Sequence, residues 1–292
     1  MNAILGPPTL YHVLFESIQF DSPEEVVQRV IYNLRGPAEQ AKKARRALSY
    51  LLSTIILLGK LDLLKALSDP MLQYGVPVIG TAVKEAATLP FEKATFCLKV
   101  LFTLGWDVNQ ALSNTQPPVL SAALHDASLT HWLLEMGADP NATTDIDCTP
   151  LSIAVSRFDF QIVHLLLEHA HQSRNGHLVY YATQRTDPDE SVTMIRLLHL
   201  YDKPIDEILY QDPKSYRLRA PFLRGTPLYY ACVKDRMSVA LALVELGADP
   251  DKACQRYNES VGPTPRQVAA NLGWTLFERK ALRFLNLLTV GQ

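Results

Sequence analysis

The chain has 292 residues, of which 48% are hydrophobic and 20% are charged. This composition is typical of a globular protein and argues against intrinsic disorder. The net charge of -2 and the sequence pI of about 6.4 argue against a general nucleic-acid-binding protein, which needs an excess of basic residues.

The N-terminal segment MNAILGPPTLYHVLFES lacks a basic start followed by an apolar run and a cleavage site, so we expect no secretory signal. The most apolar stretch, residues 48–67, is interrupted by Gly59, Lys60 and Asp62. It falls short of the roughly 18 uninterrupted apolar residues that a membrane-spanning helix requires. The sequence therefore predicts no membrane association.

Residues 1–75 contain helix signals without a clear repeat. Ser22-Pro23-Glu24-Glu25 is a capping box that predicts a helix through Leu34. Residues 44–67 predict a helix pair with a break at Gly59. These helices are interpreted as a cap, or as degenerate repeats, at the start of the helix stack that follows; the alternative is a separate helical domain ending near Gly75.

Two later segments share one pattern. Residues 149–170 and 226–247 both begin Thr-Pro-Leu, have Ala at the sixth position, and end in a Leu- and Val-rich run. A Thr cap followed by Pro at the first helical position predicts a helix start. A polar break at 157–159 then separates this first helix from a second one, so each unit is a pair of antiparallel helices.

The connections between units are also repeated. EMGADPN (135–141) and ELGADPD (245–251) end Leu-rich helices, with Gly137 and Gly247 at positions that favour a left-handed C-cap. LGWDVN (104–109) is a third copy. Twelve residues separate Gly137 from Thr149 and Gly105 from Pro117, which predicts a β-turn finger between units.

The Thr-Pro-Leu-x-x-Ala motif, the Leu-rich second helix, Gly-Ala-Asp-Pro and a period near 33 residues resemble the ankyrin repeat. TPRQVAANLG (264–273) matches the same pattern. The resemblance implies an all-α fold, an ankyrin-type solenoid of stacked helix pairs with short β-turn fingers, over residues 76–292. The predicted units lie near 76–109, 117–141, 149–170, 177–206, 226–251 and 264–288.

The chain departs from the ankyrin pattern in several places. Ser152 and Tyr229 replace the usual His, and Phe158 and Asp235 replace the usual Gly between the helices. The unit at 177–206 is degenerate, with TQRTDPDES (183–191) interpreted as an insertion. A second insertion covers 212–225, and the finger before position 264 is longer by about five residues.

Seven of the eight histidines lie between residues 125 and 199, and four lie between 164 and 177. The four are His164, His169, His171 and His177. Their spacing lacks the i, i+4 arrangement of a helical metal-binding motif, so they are interpreted as surface and turn residues. No nucleophile motif or phosphate-binding loop is present in the sequence. We therefore predict no catalytic residues, no metal and no cofactor.

The four cysteines are widely spaced, without a CxxC pair, which predicts free thiols and an intracellular protein, cytoplasmic or nuclear. They are Cys97, Cys148, Cys232 and Cys254.

The resemblance implies a non-enzymatic adaptor, a monomer, that binds a protein or peptide on a concave face of fingers and first helices. The positions expected to be exposed there are Asp145, Ile146, Cys148, Ser156, Arg157, Phe222, Leu223, Val233 and Lys234. Phe222 and Leu223 are candidate apolar anchors, or alternatively pack back onto the insertion loop. The alternative function is an enzyme, or a metal- or ligand-binding protein, that uses the His-rich region 164–199 and the insertions.

Overall fold

A computed structural model of the chain describes residues 10–170, 176–275 and 277. Within these residues the fold is all-α, apart from one short hairpin. The chain divides into two compact units. Unit 1 contains the residues up to Ser113 together with Pro118–Ala138, and unit 2 contains Asn114–Pro117 together with the residues from Asp139 onward.

Unit 1 consists of helices that alternate between two rows. The helices are α1 (Leu10–Phe20), α2 (Pro23–Leu34), α3 (Ala38–Leu57), α4 (Leu61–Gln73), α5 (Gly80–Ala87), α6 (Phe91–Thr103), α7 (Leu120–Ala123) and α8 (Ala127–Glu135). The odd-numbered helices pack on one another in chain order, and so do the even-numbered ones. This packing continues across Gly75, where α3 contacts α5 and α4 contacts α6. The role of residues 1–75 as a cap stays a prediction.

Unit 2 continues with helix pairs and adds longer connections. Its elements are α9 (Pro150–Arg157), α10 (Phe160–His169), α11 (Leu178–Ala182), α12 (Pro188–Leu200), α13 (Pro213–Arg219), α14 (Pro227–Val233), α15 (Met237–Glu245), β1 (Gln255–Arg256), β2 (Glu259–Ser260) and α16 (Pro265–Asn271). The first helices of the pairs, α9, α11, α14 and α16, pack in one row. The second helices α12 and α15 pack on each other.

The helix boundaries follow the local signals of the sequence. Ser22 and Glu25 form the predicted capping box, and the helix ends at Leu34 as expected. Thr149 forms a second capping box with Ser152, because its hydroxyl accepts the N–H of that residue at 3.0 Å. Gly137 has a φ of 87°, in the left-handed region that ends α8.

Three segments of unit 2 differ from the sequence prediction. Helix α12 begins at Pro188, so the second half of the predicted insertion 183–191 is its first turn, capped by Asp187. The insertion 212–225 contains α13, capped by Asp212. The lengthened finger before α16 forms the β1–β2 hairpin. The predicted last unit, near 264–288, lies inside the described residues only to position 275 and at 277.

The interior of each unit is apolar. Leu51, Leu52 and Ile55 in α3 are fully buried, and so are the small residues Ala154 in α9 and Ala231 in α14. All four cysteines are free and buried, as the sequence predicts for unpaired thiols. None of the helices within the described residues is long and apolar enough to cross a membrane.

Candidate functional site

Three loops of unit 2 precede helices α9, α14 and α16, and the second and third of these loops are joined by backbone hydrogen bonds. We call them the finger loops; they are residues 139–148 before α9, 204–225 before α14, and 251–263 before α16. In the second and third loops, Arg224 and Gln255 exchange backbone bonds of 2.9 and 2.8 Å. The Tyr257 N–H donates to the Ala220 carbonyl at 3.0 Å. The second and third finger loops therefore hold each other in place rather than standing independently.

The three finger loops and the start of α11 surround a cleft of about 660 Å³. This volume lies within the range of about 300–1,000 Å³ that is typical of ligand-binding pockets. The lining residues are Asp147, His177, Glu207, Ile208, Gln211, Asp212, Lys252, Gln255 and Asn258. Most of these side chains are charged or carry amides.

A buried carboxyl–imidazole pair forms one wall of the cleft. Asp147 and His177 both have left-handed backbones, with φ of 53° and 46°. Asp147 Oδ1 accepts the N–H of Gly176 at 3.0 Å, and Oδ2 lies 3.1 Å from His177 Nε2. The same Nε2 accepts the backbone N–H of Tyr210 at 3.1 Å, so it carries no proton. The Asp147 carboxyl and the Tyr210 N–H therefore both approach the single lone pair of Nε2, an arrangement that fits a neutral pair.

Burial accounts for this protonation state. Both side chains are only 6% exposed. Desolvation raises the pKa of Asp147 to about 7; the Gly176 N–H opposes this shift, and the negative charges of Asp212 and Glu207 add to it. Desolvation lowers the pKa of His177 to about 4, against the charge of Asp212. Each group therefore favours its uncharged form inside the protein.

On the far side of the cleft, Lys252 is held by a neighbouring residue. Its Nζ lies 3.4 Å from Asp206 Oδ2 and donates to the Asp206 carbonyl at 2.6 Å. Burial raises the pKa of Asp206 to about 6, and the Lys252 ammonium opposes that shift. The single lysine of the cleft is thus already engaged by an acidic residue outside the lining.

Arg224 links the second and third finger loops through side-chain contacts. It is 1% exposed, and its guanidinium donates to the Tyr210 carbonyl at 3.0 Å and to Asn258 Oδ1 at 3.1 Å. The guanidinium also lies 4.8 Å from the centre of the Tyr216 ring. Because these partners come from both loops, Arg224 sets the distance between two walls of the cleft.

The predicted partner-binding residues differ in exposure. Exposed side chains are found at Arg157, Phe222, Val233 and Lys234, and half-buried ones at Asp145, Ile146, Ser156 and Leu223. Leu223 lies against Gly262 and near Cys254, which supports the alternative that it packs back onto the loops. Phe222, by contrast, is 59% exposed.

The expected exposure of Cys148 is wrong. The residue is buried, because the loop closes on itself: the Thr144 N–H donates to the Cys148 carbonyl at 3.0 Å. The Cys148 N–H donates in turn to Thr144 Oγ1 at 3.1 Å. The thiol then faces inward and hydrogen bonds with Tyr181. Cys148 cannot contact a partner in this conformation.

The described histidines of the His-rich region do not converge on one site. His164 is exposed beside Glu168 at 3.3 Å, and His169 Nδ1 pairs with the carbonyl of Leu165 in its own helix. His171 lies outside the described residues. Among the described side chains, no group of three or more His, Cys, Asp or Glu could hold a metal ion. Of the four histidines between 164 and 177, His177 lines the cleft.

Most of the cleft was not predicted from the sequence. Asp147 lies two residues before Thr149, a position that the repeat pattern gives to a turn. Glu207 and Lys252 belong to loops that are far apart in the chain, and nothing in the sequence near either residue indicates that they share a cleft.

Comparison with known proteins identifies the repeats. Residues 124–167 match the family model described as ankyrin repeats (many copies). No curated protein matches the sequence. The chain is similar to solved structures of the human ASB11 ankyrin repeat domain (24% identity, TM-score 0.46, 69% of this chain and 82% of that one). It is also similar to an ankyrin repeat domain from Acinetobacter baumannii (20% identity, TM-score 0.47, 69% and 96%). A third similar structure is the ankyrin repeat domain of Bcl-3 (16% identity, TM-score 0.46, 80% and 85%).

Ankyrin repeats are generally protein–protein interaction modules. The match lies on the segment in which the sequence analysis found the Gly-Ala-Asp-Pro connection and the Thr-Pro-Leu helix start. The chain thus contains ankyrin repeats, which the family model matches over residues 124–167.

Proposed function

We propose that the chain is a non-enzymatic adaptor that binds a protein or peptide. The binding face consists of the finger loops and the C-terminal ends of the first helices in unit 2, the face expected to be concave. The observation that carries the proposal is the cleft of about 660 Å³ that the finger loops enclose. A preformed cleft lowers the entropy that binding must overcome.

Exposed side chains next to these loops support the same face. Phe222, in the second finger loop, is 59% exposed, and Val233, at the end of α14, is 52% exposed. Arg157, the last residue of α9, is also exposed. Exposed aromatic, aliphatic and arginine side chains are the residues that most often dominate the binding energy of an interface.

The geometry of the buried pair favours binding over catalysis. A general base needs a free lone pair within reach of the substrate. The Nε2 lone pair of His177 already accepts the Tyr210 N–H, and the Asp147 carboxyl also points at this atom. The pair therefore supports the architecture of the cleft rather than a reaction.

The proposal includes an intracellular location, cytoplasmic or nuclear, and a monomeric state. Four free, buried cysteines support the location, because such thiols are typical of a reducing compartment.

The proposal is tested by capture of partners from cell extract. The test variant combines Arg157→Ala, Phe222→Ala and Val233→Ala. Loss of an exposed anchor reduces binding by about 2 kcal/mol or more, roughly thirtyfold, so the captured proteins should disappear while the melting temperature stays near the parent's.

The matched control changes exposed residues of the second helices: Glu168→Ala, Arg196→Ala and Leu200→Ala. This variant should capture the same proteins as the parent. Capture that survives the test variant, or that is lost equally in the control, would contradict the proposed face.

A further inference from the structure

We propose that unit 1 carries a second binding site, a pocket between α1 and α3 that receives an aliphatic or aromatic side chain of an acidic peptide segment. The site goes beyond the proposed function, because it lies in unit 1 and shares no residue with the unit 2 face. Its partner is recognised by one apolar side chain and by the carboxylates that flank it.

The pocket has a volume of about 270 Å³ and lies where α1 packs on α3. Its walls are mainly apolar, and the residues that line it are Leu10, Tyr11, Lys43, Arg46, Ala47 and Tyr50. The volume is just below the range of about 300–1,000 Å³ that is typical of pockets for whole small ligands. A pocket of this size therefore suits a single side chain better than a cofactor-sized molecule.

The four lining residues of α3 form one stripe along the helix. Their positions are i, i+3, i+4 and i+7 counted from Lys43, a spacing that places them on one face. Ala47 is small and 8% exposed, whereas Tyr50 is 52% exposed. The stripe therefore presents a small apolar floor beside an aromatic ring and two cations.

The wall that α1 contributes is held in place by ring contacts. The Tyr11 ring stacks on Phe15, with the ring centroids 6.2 Å apart and the planes 16° from parallel. The edge of His12 also lies against Tyr11, at 5.9 Å between centroids. These contacts restrict the Tyr11 side chain, which lowers the entropy that a ligand must overcome. Tyr11 itself is still 38% exposed and accessible to a partner.

The rim of the pocket is basic. Helix α3 carries four basic side chains, Lys42, Lys43, Arg45 and Arg46, and one acidic side chain, Glu39. Lys43 lies 3.8 Å from Glu39, but the two side chains are 68% and 72% exposed, so solvent screens this pair. Arg46 is exposed and makes no ion pair within the part of the chain that the structure describes. Because the whole chain has a net charge of -2, this positive charge is local, and it is complementary to an acidic partner.

Two other occupants fit the pocket less well. Residues 1–9, which precede α1, contain no Asp or Glu and cannot complement the basic rim. A single-stranded nucleic acid binds by stacking its bases on open aromatic faces, but Phe15 covers one face of Tyr11. An acidic peptide with one apolar side chain satisfies both the rim and the walls.

The experiment uses the full chain and three pools of fluorescent seven-residue peptides. The acidic pool has Leu, Phe or Trp at the centre, two Asp or Glu on each side, and a random residue at each end. The neutral pool has Asn or Gln in place of the acids, and the serine pool has Ser in place of the apolar centre. Anisotropy should show that the acidic pool binds about tenfold more tightly than either of the others. Its affinity should fall several-fold between about 50 and about 300 mM salt, because salt screens the charges of the rim.

Two variants locate the site. Arg46→Gln and Tyr50→Ser should each lower the affinity for the acidic pool several-fold, with a melting temperature near the parent's, because both side chains are exposed. The matched controls are Lys65→Gln on α4 and Tyr32→Ser on α2, which remove exposed side chains of the same kind from helices of the other row. Both controls should bind the acidic pool as the parent does.

A charge reversal separates recognition from a structural effect. A variant with Lys43→Glu and Arg46→Glu should prefer a pool that has Lys at the flanking positions over the acidic pool. A general loss of structure would weaken the binding of both pools and would not reverse the preference.

Equal binding of the acidic and neutral pools, no binding of any pool, an unreversed preference in the double variant, or tighter binding of a uridine oligonucleotide than of the acidic pool would overturn the inference. The unit 2 variant with Arg157→Ala, Phe222→Ala and Val233→Ala should bind the acidic pool as the parent does. If it does not, the assignment to unit 1 is wrong. The capture experiment tests the proposed function separately, so either proposal can fail without the other.

Discussion

The helix pairs of unit 1 and the repeats of unit 2 are connected in different ways. In unit 1, residues 74–79 join the pair α3–α4 to the pair α5–α6, with Gly75 in the left-handed region. Successive pairs then meet mainly through buried aliphatic side chains such as Leu51 and Leu64. In unit 2, finger loops of ten residues or more precede α9, α14 and α16, and polar side chains link neighbouring pairs.

Two arginines show the unit 2 pattern. Arg185 donates to the carbonyls of Val155 and Phe158, each at 2.9 Å, and so reaches back to the end of α9. Arg236 donates to the Thr183 carbonyl and, at 3.2 Å, to Ser191 Oγ. The comparison teaches that a divergent repeat keeps its neighbours in place with buried polar contacts where regular apolar packing is interrupted by long loops.

The largest expected effect comes from disrupting the apolar packing of unit 1. Leu51→Ala in α3 removes a fully buried side chain, which costs about 2–5 kcal/mol through lost transfer energy and the cavity left behind. Hydrogen exchange should show the loss of protection in unit 1. Leu57→Ala on the same helix is the control, because Leu57 is 58% exposed; a similar loss there would contradict the assigned helix face.

The polar contacts between the repeats of unit 2 are tested by Arg185→Met. The side chain is 7% exposed, and its removal leaves two buried carbonyls without these donors, at a cost of about 2 kcal/mol. Chemical denaturation should show the change, with protection lost around α9 and α11. Arg196→Met on the neighbouring helix α12, 63% exposed, should change stability by less than about 0.5 kcal/mol. Equal effects would mean that Arg185 does not anchor the repeats.

A smaller effect concerns the pH dependence of the buried pair. The pKa of Asp147 is raised from 3.8 to about 7, so its contribution to stability is full below pH 3.8 and is lost as the pH rises through 7. The pKa of His177 is lowered from 6.5 to about 4, so its contribution is full above pH 6.5 and is lost as the pH falls through 4. Between about pH 4 and pH 6.5, the two groups change the free energy of unfolding with pH in opposite directions, and their effects cancel.

Asp147→Asn removes the pH dependence that comes from Asp147, because an Asn side chain does not titrate. The fold is kept, since Asn accepts a left-handed backbone and can donate to His177 Nε2. Relative to the parent, the variant should lose about 1.4 kcal/mol of unfolding free energy per pH unit on acidification between pH 6.5 and 4.5. Denaturation at several pH values measures this difference. Parallel curves for the two proteins would show that the pair does not share its proton as described.

The smallest expected effect concerns the N-terminal cap of α2 in unit 1. Ser22→Ala removes the capping box of α2, in which Ser22 Oγ accepts the Glu25 N–H at 3.3 Å. The cap is exposed, so we expect a loss of about 0.5–1 kcal/mol of unfolding free energy, confined to the first turn. Ser22→Asp, which can also cap, should restore it; a variant that stays destabilised would assign the loss to something other than capping.

The features that could be predicted from the sequence are local ones. Thr149 and Gly137 determine a helix start and a helix end through contacts within a few residues, and both are confirmed. Asp187-Pro188 and Asp212-Pro213 start helices by the same signal, but both lie in segments interpreted as insertions. Because these segments depart from the repeat pattern, they were interpreted as insertions, although the local Asp-Pro signal predicts a helix start in each.

The cleft could not be predicted in the same way. His177 and Asp147 are 30 positions apart, and the side-chain contact between Lys252 and Asp206 spans 46 positions. Such contacts depend on how closely the finger loops approach one another. The inward turn at Cys148 is a similar case, since it depends on the closure of residues 144–148 rather than on the type of residue.

The buried cysteines give the protein its own kinetic reporters. Cys97 lies in unit 1, and Cys148, Cys232 and Cys254 lie in unit 2. Burial raises the pKa of Cys97 to about 11 and the pKa values of Cys232 and Cys254 to about 12, so almost no thiolate exists while the surrounding segment stays closed. A thiol reagent therefore reacts only during transient opening. The labelling rates at the four positions would report, without any introduced probe, which repeats open most often and whether neighbouring repeats open together.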